Sequence, residues 1–160
     1  MQFARFDAYV IRHIKYATLP IARGALFVIF FWFGLLKVLE ISPADPLVAA
    51  LLKNTLPFVS FNGFRIFFGL YEMIIGLAFL VSGFERLAII LLLPHMVATF
   101  LPLILLPTDT WASVLVPTFT GQYIIKNLVI IALALSVAAH LHPMRETRKS
   151  KLETRNKKRI

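Results

Sequence analysis

The sequence predicts an all-α integral membrane protein: an antiparallel four-helix bundle with a short N-terminal amphipathic helix. Three observations predict it. Hydrophobic residues make up 59% of the 160-residue chain and charged residues only 16%, so too little polar surface remains to cover a water-soluble domain. Four apolar runs, at residues 21–41, 64–83, 87–106 and 121–141, each reach the roughly 20 residues that a helix needs to cross the hydrocarbon core. The basic residues that give the net charge of +9 gather towards the two ends of the chain. That distribution marks membrane topology, whereas a nucleic-acid surface would need a basic groove interleaved with stacking aromatics. Lipid is therefore an expected partner and nucleic acid is not.

The segment 1–20 sets Phe3, Phe6, Val10, His13, Ile14 and Ala17 on one helical side and Arg5, Arg12 and Lys15 on the other. It reads as an amphipathic helix lying in the interface, with a cytosolic extension of the first span as the alternative. The first apolar run begins only near Leu19 and is followed by no small-residue cleavage site, so it is read as a retained span. Span one carries Arg23 near its start and Lys37 and Glu40 towards its end, three residues apart and able to face one side. The connection 42–63 holds three prolines around a short apolar stretch, 47–53, which is too short to cross and suits an interfacial helix over one end of the bundle.

Span two carries Gly69, Glu72, Gly76 and Gly83 on one stripe, so the face that bears the acid also permits close helix approach. A three-residue turn at 84–86 makes spans two and three neighbours. Span three aligns His95, Thr99 and Pro102, and Pro94 and Pro102 should bend it and free backbone carbonyls. His95 is expected to donate to one of those carbonyls, with a proton-relay role as the alternative. Residues 107–121 form a turn-rich connection with Trp111 as an interfacial anchor. Gln122, Lys126, Val129, Leu133, Ser136 and His140 then share a face of span four, and 143–160 is a basic tail holding eight Lys or Arg.

Counting Lys and Arg in the connections puts both termini in the cytoplasm of a multi-pass protein of the cell (inner) membrane. At about 1.5 Å per residue, Lys37, Glu72 and Lys126 then fall in the outer half, His95 near the midplane, and Glu40 and Gln122 close to the outer surface. Four spans thus bring a Lys, a Glu, a His and a second Lys towards one layer. A carboxylate in hydrocarbon is costly enough to need a partner, which makes Glu72 the centre of the candidate site.

The absence of cysteine removes disulfides, iron–sulfur ligation and thiol relays, and no metal site is expected. Paired axial ligands for a haem are not at matching depth, because His95 is central while His140 and His142 lie at the cytoplasmic edge. The aromatic run Phe27, Phe30, Phe31, Trp32 and Phe33 reads as lipid-facing or packed surface, part of which could line a hydrophobic slot.

Arg23, Gly34 and Lys37 in span one, Gly69, Glu72 and Gly76 in span two, and GQYIIKN with Lys126 and Asn127 at the entry to span four together resemble the DoxX-like family of small four-span membrane proteins. The resemblance covers roughly residues 23–141. It implies that Arg23, Lys37, Glu72, Lys126 and Asn127 belong to a polar core. It also implies association with quinone-linked oxidoreductase or oxidative-stress complexes, hence a protein partner and quinone as the cofactor to consider, none being intrinsic to the sequence. A homo-oligomer is compatible with the same reading. Two other classes stand beside it: a small transporter exchanging protons or cations at Glu72, and a scaffold or assembly factor whose polar core is purely structural.

Overall fold

The computed structural model describes residues 2–141; the predicted basic tail and His142 lie outside the described residues. The fold is mostly helical, with four helices long and apolar enough to cross a membrane: Arg5–Val38, Phe61–Leu80, Glu85–Leu105 and Phe119–Ala138. In chain order these belong to α1 (Gln2–Val38), α3 (Phe61–Leu80), α4 with α5 (Glu85–Phe100, Pro102–Leu105), and α7 with α8 (Phe119–Ile125, Asn127–Ala138). Between them lie α2 (Asp45–Thr55), α6 (Pro107–Thr110) and a two-stranded antiparallel sheet, β1 (Trp111–Ser113) with β2 (Val116–Pro117).

Three features depart from the sequence reading. The N-terminal segment is not a separate helix: α1 runs for 37 residues straight through Pro20. The proline removes one N–H but does not end the helix, and the extension alternative is the one observed. The connection 107–121 contains the small sheet, a β element in a chain expected to be all-α. Its hairpin is closed by the Thr118 N–H, which donates to the Thr110 carbonyl at 3.0 Å, while the buried Thr110 hydroxyl donates to the Leu106 carbonyl at 2.9 Å. Trp111 Nε1 donates to the Leu103 carbonyl at 2.9 Å, so the predicted anchor ties the hairpin back to α5. Finally, α3 starts at Phe61, three residues earlier than expected, which moves Glu72 inward to about the middle of the helix.

The short apolar stretch expected at 47–53 is α2. It begins with Asp45 and Pro46 in its first turn, where an acid and a proline suit the free N–H groups, and it buries Leu52. Pro94 stays inside α4, and the interruption expected in span three falls at Leu101 and Pro102.

The core is drawn from α1, α3, α4 and α8: Leu26 and Phe30 meet Ile75 and Phe79, with Leu92, Met96, Ala134 and Val137 around them. Outside this narrow core the helices present large apolar side chains, among them Val28, Trp32, Phe67, Ile90, Val97 and Val129. A water-soluble bundle would hide such residues, whereas a lipid-solvated one exposes them. The tightest packing is between α1 and α3. A Cβ added at Gly34 would collide with the Gly69 carbonyl oxygen and the Met73 backbone, and one at Gly76 would lie 2.8 Å from the Phe31 nitrogen. Backbone meets backbone at these points, so neither can give way.

Candidate functional site

α1 and α3 approach closely enough for short-range contacts between charges near their shared axis. Lys37, in the last turn of α1, sits beside Gly69 and reaches one turn along α3 to Glu72. Its Nζ donates to Glu72 Oε2 at 2.7 Å, and both side chains are only 6% exposed. The second carboxylate oxygen, Oε1, lies 2.9 Å from His95 Nε2 on α4. One buried carboxylate is thus shared by a lysine and a histidine from two other helices.

Hydrogen-bond directions follow from the acceptor chemistry. An ionised carboxylate only accepts, so His95 carries its proton on Nε2 and donates. Thr99 Oγ1 gives its single proton to the His95 carbonyl at 2.9 Å and lies 3.4 Å from His95 Nδ1. With Lys37 cationic, Glu72 anionic and His95 neutral, the triad carries no net charge, which limits its cost in a medium of low dielectric. The imidazole is fixed by rings: Phe68 stacks on it at 5.0 Å and 7°, and Phe30 meets it edge-on at 5.3 Å and 84°. Phe68 also lies under the Lys37 ammonium, 5.7 Å from Nζ. Tyr71 is anchored by its hydroxyl, which donates to the Leu91 carbonyl at 2.7 Å and ties α3 to α4.

Two further charged groups bracket the triad. At one end Arg23 donates from Nε to the Phe79 carbonyl and from Nη2 to the Leu80 carbonyl, each at 2.8 Å, and pairs with Glu85 at 2.9 Å. Glu85 in turn accepts from the Gly83 N–H at 2.8 Å. This clasp satisfies carbonyls at the end of α3 and secures the turn into α4. At the other end Arg65 pairs with Glu40 at 2.6 Å and approaches Asp45 at 3.5 Å. There Asp45 Oδ1 and Arg65 Nε are buried with no hydrogen-bond partner among the described residues. Along α3 the carboxylate at Glu72 stands seven residues, about 10 Å, from Arg65 and from Phe79.

The predicted site residues therefore divide. Lys37, Glu72 and His95 come together, and His95 takes the carboxylate where a backbone carbonyl had been expected. Arg23 and Glu40 belong to the two end clusters. Glu40 leaves the Lys37 side because it adopts φ +63 just after α1, where the Glu40 N–H bonds Lys37 O and the Ile41 N–H bonds Leu36 O. This is the left-handed helix-ending turn that usually takes glycine. Lys126 does not join the layer. It is exposed, at the junction of α7 and α8, and like exposed Gln122 and half-buried Asn127 it makes no side-chain bond to a described residue. On α7, Tyr123 lies against Phe33 at 6.4 Å and is itself about half exposed.

Sequence reasoning did not include Arg65, Phe68, Tyr71, Glu85 or Tyr123 in the site. Arg65 was legible, since it continues the stripe of Gly69, Glu72 and Gly76 by one more turn. A cavity of about 280 Å³ opens at the Arg23 end, lined by Leu19, Pro20, Arg23, Leu80 and Ser82. Compared with family models, with curated proteins and with solved structures, the chain finds no match.

Proposed function

We propose that the chain is a DoxX-like membrane subunit of a quinone-linked redox or oxidative-stress complex, in which the Lys37–Glu72–His95 triad exchanges protons during quinone turnover. The observation that carries this reading is the single buried carboxylate held at 2.7 Å by an ammonium and at 2.9 Å by an imidazole. Quinone reduction consumes protons, and this arrangement places a proton donor on either side of a base inside the membrane. The residues present suit a quinone head group in part. The Glu72 bond uses one of the three ammonium N–H groups of Lys37, and Phe33 and Tyr123 offer aromatic surface beside it. A bound quinone would supply the electron acceptor; Lys37 would orient a carbonyl, and His95 would hold or release a proton at Nδ1 next to Thr99. Electrons come from a partner protein in this reading.

The reading includes an antiparallel bundle with both termini in the cytoplasm of the cell membrane. Opposed pairings support the antiparallel sense: Arg23 meets Phe79 and Leu80, whereas Gly34 further along α1 meets Gly69 earlier in α3. The deciding experiment is quinone binding in nanodiscs. Glu72→Gln and His95→Gln should both weaken it, while Lys126→Met should leave it unchanged. Equal binding by folded Glu72→Gln and by the parent protein would remove the site.

One observation favours a second reading, a scaffold with a structural polar core: both Glu72 oxygens are already satisfied. That reading expects the same variants to lower abundance or assembly with no change in quinone binding by the surviving protein.

A further inference from the structure

The first half of α1 takes no part in the site. At about 1.5 Å per residue the helix is about 55 Å long, against about 30 Å of hydrocarbon. Arg23 ties α1 to the end of α3, so the residues before it continue about 30 Å beyond that level. They carry apolar side chains that the bundle does not cover: Phe3 is 91% exposed, Phe6 68% and Ile14 58%.

The direction of this apolar strip is informative. At about 100° per residue, buried Ala22, Leu26 and Phe30 mark the side of α1 that faces the bundle. Phe3, Phe6, Val10, Ile14 and Ala17 lie on the opposite side, in line with exposed Ile21 and Val28. Gly24 falls on the same outer side, and a Cβ there would meet nothing within 4 Å. The strip therefore continues without interruption past the level of Arg23, with its smallest residue, Gly24, close to that level.

Two occupants could cover it, the bilayer surface or another helix. Lying on the bilayer requires a sharp bend near Pro20, yet α1 is helical on both sides of it. Arg5, Arg12 and Lys15 stand on the far side, a placement that suits either occupant, so the unbroken helix is what decides. The strip instead follows alternating spacings of three and four, Phe3, Phe6, Val10, His13, Ala17, which is the seam of a coiled coil, with the basic residues outside it. Two copies inserted the same way bring their first helices parallel and at equal depth, so register needs no further device. Confinement to one membrane raises their effective concentration, which offsets a seam too short to pair in dilute solution.

We propose that the outward strip of α1, from Phe3 through Val10 and Ala17 to Gly24, is a docking face for α1 of a second copy of this chain. The two helices stand side by side, parallel, about an axis along the membrane normal. This pairing is independent of the redox reading, because the triad lies on the bundle side of α1.

The chain has no cysteine, so single introduced cysteines report contacts in full-length protein reconstituted in liposomes. Val10→Cys and Ala17→Cys should form disulfide-linked dimers on mild oxidation, and Arg12→Cys and Lys15→Cys should not. Energy transfer between copies labelled at Val114→Cys, on the exposed hairpin, should fall about tenfold in the Val10→Glu background and stay unchanged with Lys15→Glu. Residue 10 is outside the bundle, so an unaltered melting transition separates lost pairing from lost folding. Equal cross-linking at all four positions overturns the proposal. So does no cross-linking at Val10 and Ala17; a spin label at Val10 relaxed by a lipid-soluble reagent would then assign the strip to the bilayer surface. Cross-linking at Val10 and Ala17 should persist in Glu72→Gln protein that remains folded, and its loss there would contradict the separation of face and triad.

Discussion

Neutralising Glu72 should destabilise the protein far more than removing the lysine that pairs with it. Glu72→Gln keeps the side-chain shape but leaves the Lys37 ammonium, 5% exposed, with no counter-charge inside the membrane. Breaking a buried ion pair from one side costs about 3–5 kcal/mol, because the stranded charge loses its compensation. The glutamine amide can accept from Lys37 and donate to His95 only if the imidazole moves its proton from Nε2 to Nδ1, beside Thr99. Lys37→Met is different. Glu72 keeps His95 at 2.9 Å, and the imidazole can take a proton and become the counter-ion, so the cost should be about 1–3 kcal/mol.

The double variant Lys37→Met with Glu72→Gln removes both charges and should recover about 2 kcal/mol relative to the sum of the single changes. Reversible unfolding in mixed micelles, titrated with a denaturing detergent, measures all three. Two results would refute the reasoning: Glu72→Gln within about 1 kcal/mol of the parent protein, or a double variant no better than additive. Either would mean that the Lys37 charge is compensated by something other than Glu72.

Three other expectations can be checked independently. Gly34→Ala drives a Cβ into the Gly69 carbonyl and should cost about 1–3 kcal/mol in the same assay, with α1 and α3 forced apart. Glu40→Gly should change stability by less than about 1 kcal/mol, because relief of the φ +63 backbone offsets the loss of a carboxylate that is 61% exposed in its pair with Arg65. Cysteines placed at Tyr9 and Val114 should react with an impermeant reagent from opposite sides of the membrane, Val114 from outside in intact cells; reaction of both from one side would contradict the orientation read from the basic residues.

Much of the membrane fold is legible in the sequence, because lipid demands long apolar helices and punishes charge. The glycine stripe on α3 and the acid within it follow from spacing alone, and so does the short helix before it. What spacing could not supply is rotation at helix ends. Glu40 sits three residues after Lys37 but leaves its side because the chain turns left-handed there. Lys126 and Tyr123 are neighbours on one span, and only the rotation of that span decides that the tyrosine packs on Phe33 while the lysine reaches no described partner. Pro20 shows the limit of a local signal, since its missing N–H weakens a helix that flanking residues carry on through. His95 was expected in one layer with Glu72, but its partnership with that carboxylate depended on how α4 faces α3.

Whether the triad is structural turns on what else fixes α1 against α3. Their register is set by the backbone contacts at Gly34, Gly69 and Gly76, where a shift of one residue would bring a side chain into the gap. It is set again at one end, where Arg23 reaches two specific carbonyls of α3 and Glu85, and at the other, where Arg65 holds Glu40 and Asp45. A third ionic device midway adds little to that register, and hydrophobic residues of similar volume would serve packing as well or better. Its histidine, moreover, is held by two aromatic rings in the one orientation that aims Nε2 at the carboxylate and leaves Nδ1 beside a hydroxyl. A group needed only for its shape has no use for a defined proton position. The surplus of polar chemistry at the middle of an already registered helix pair is the physical reason to look for a proton moving there.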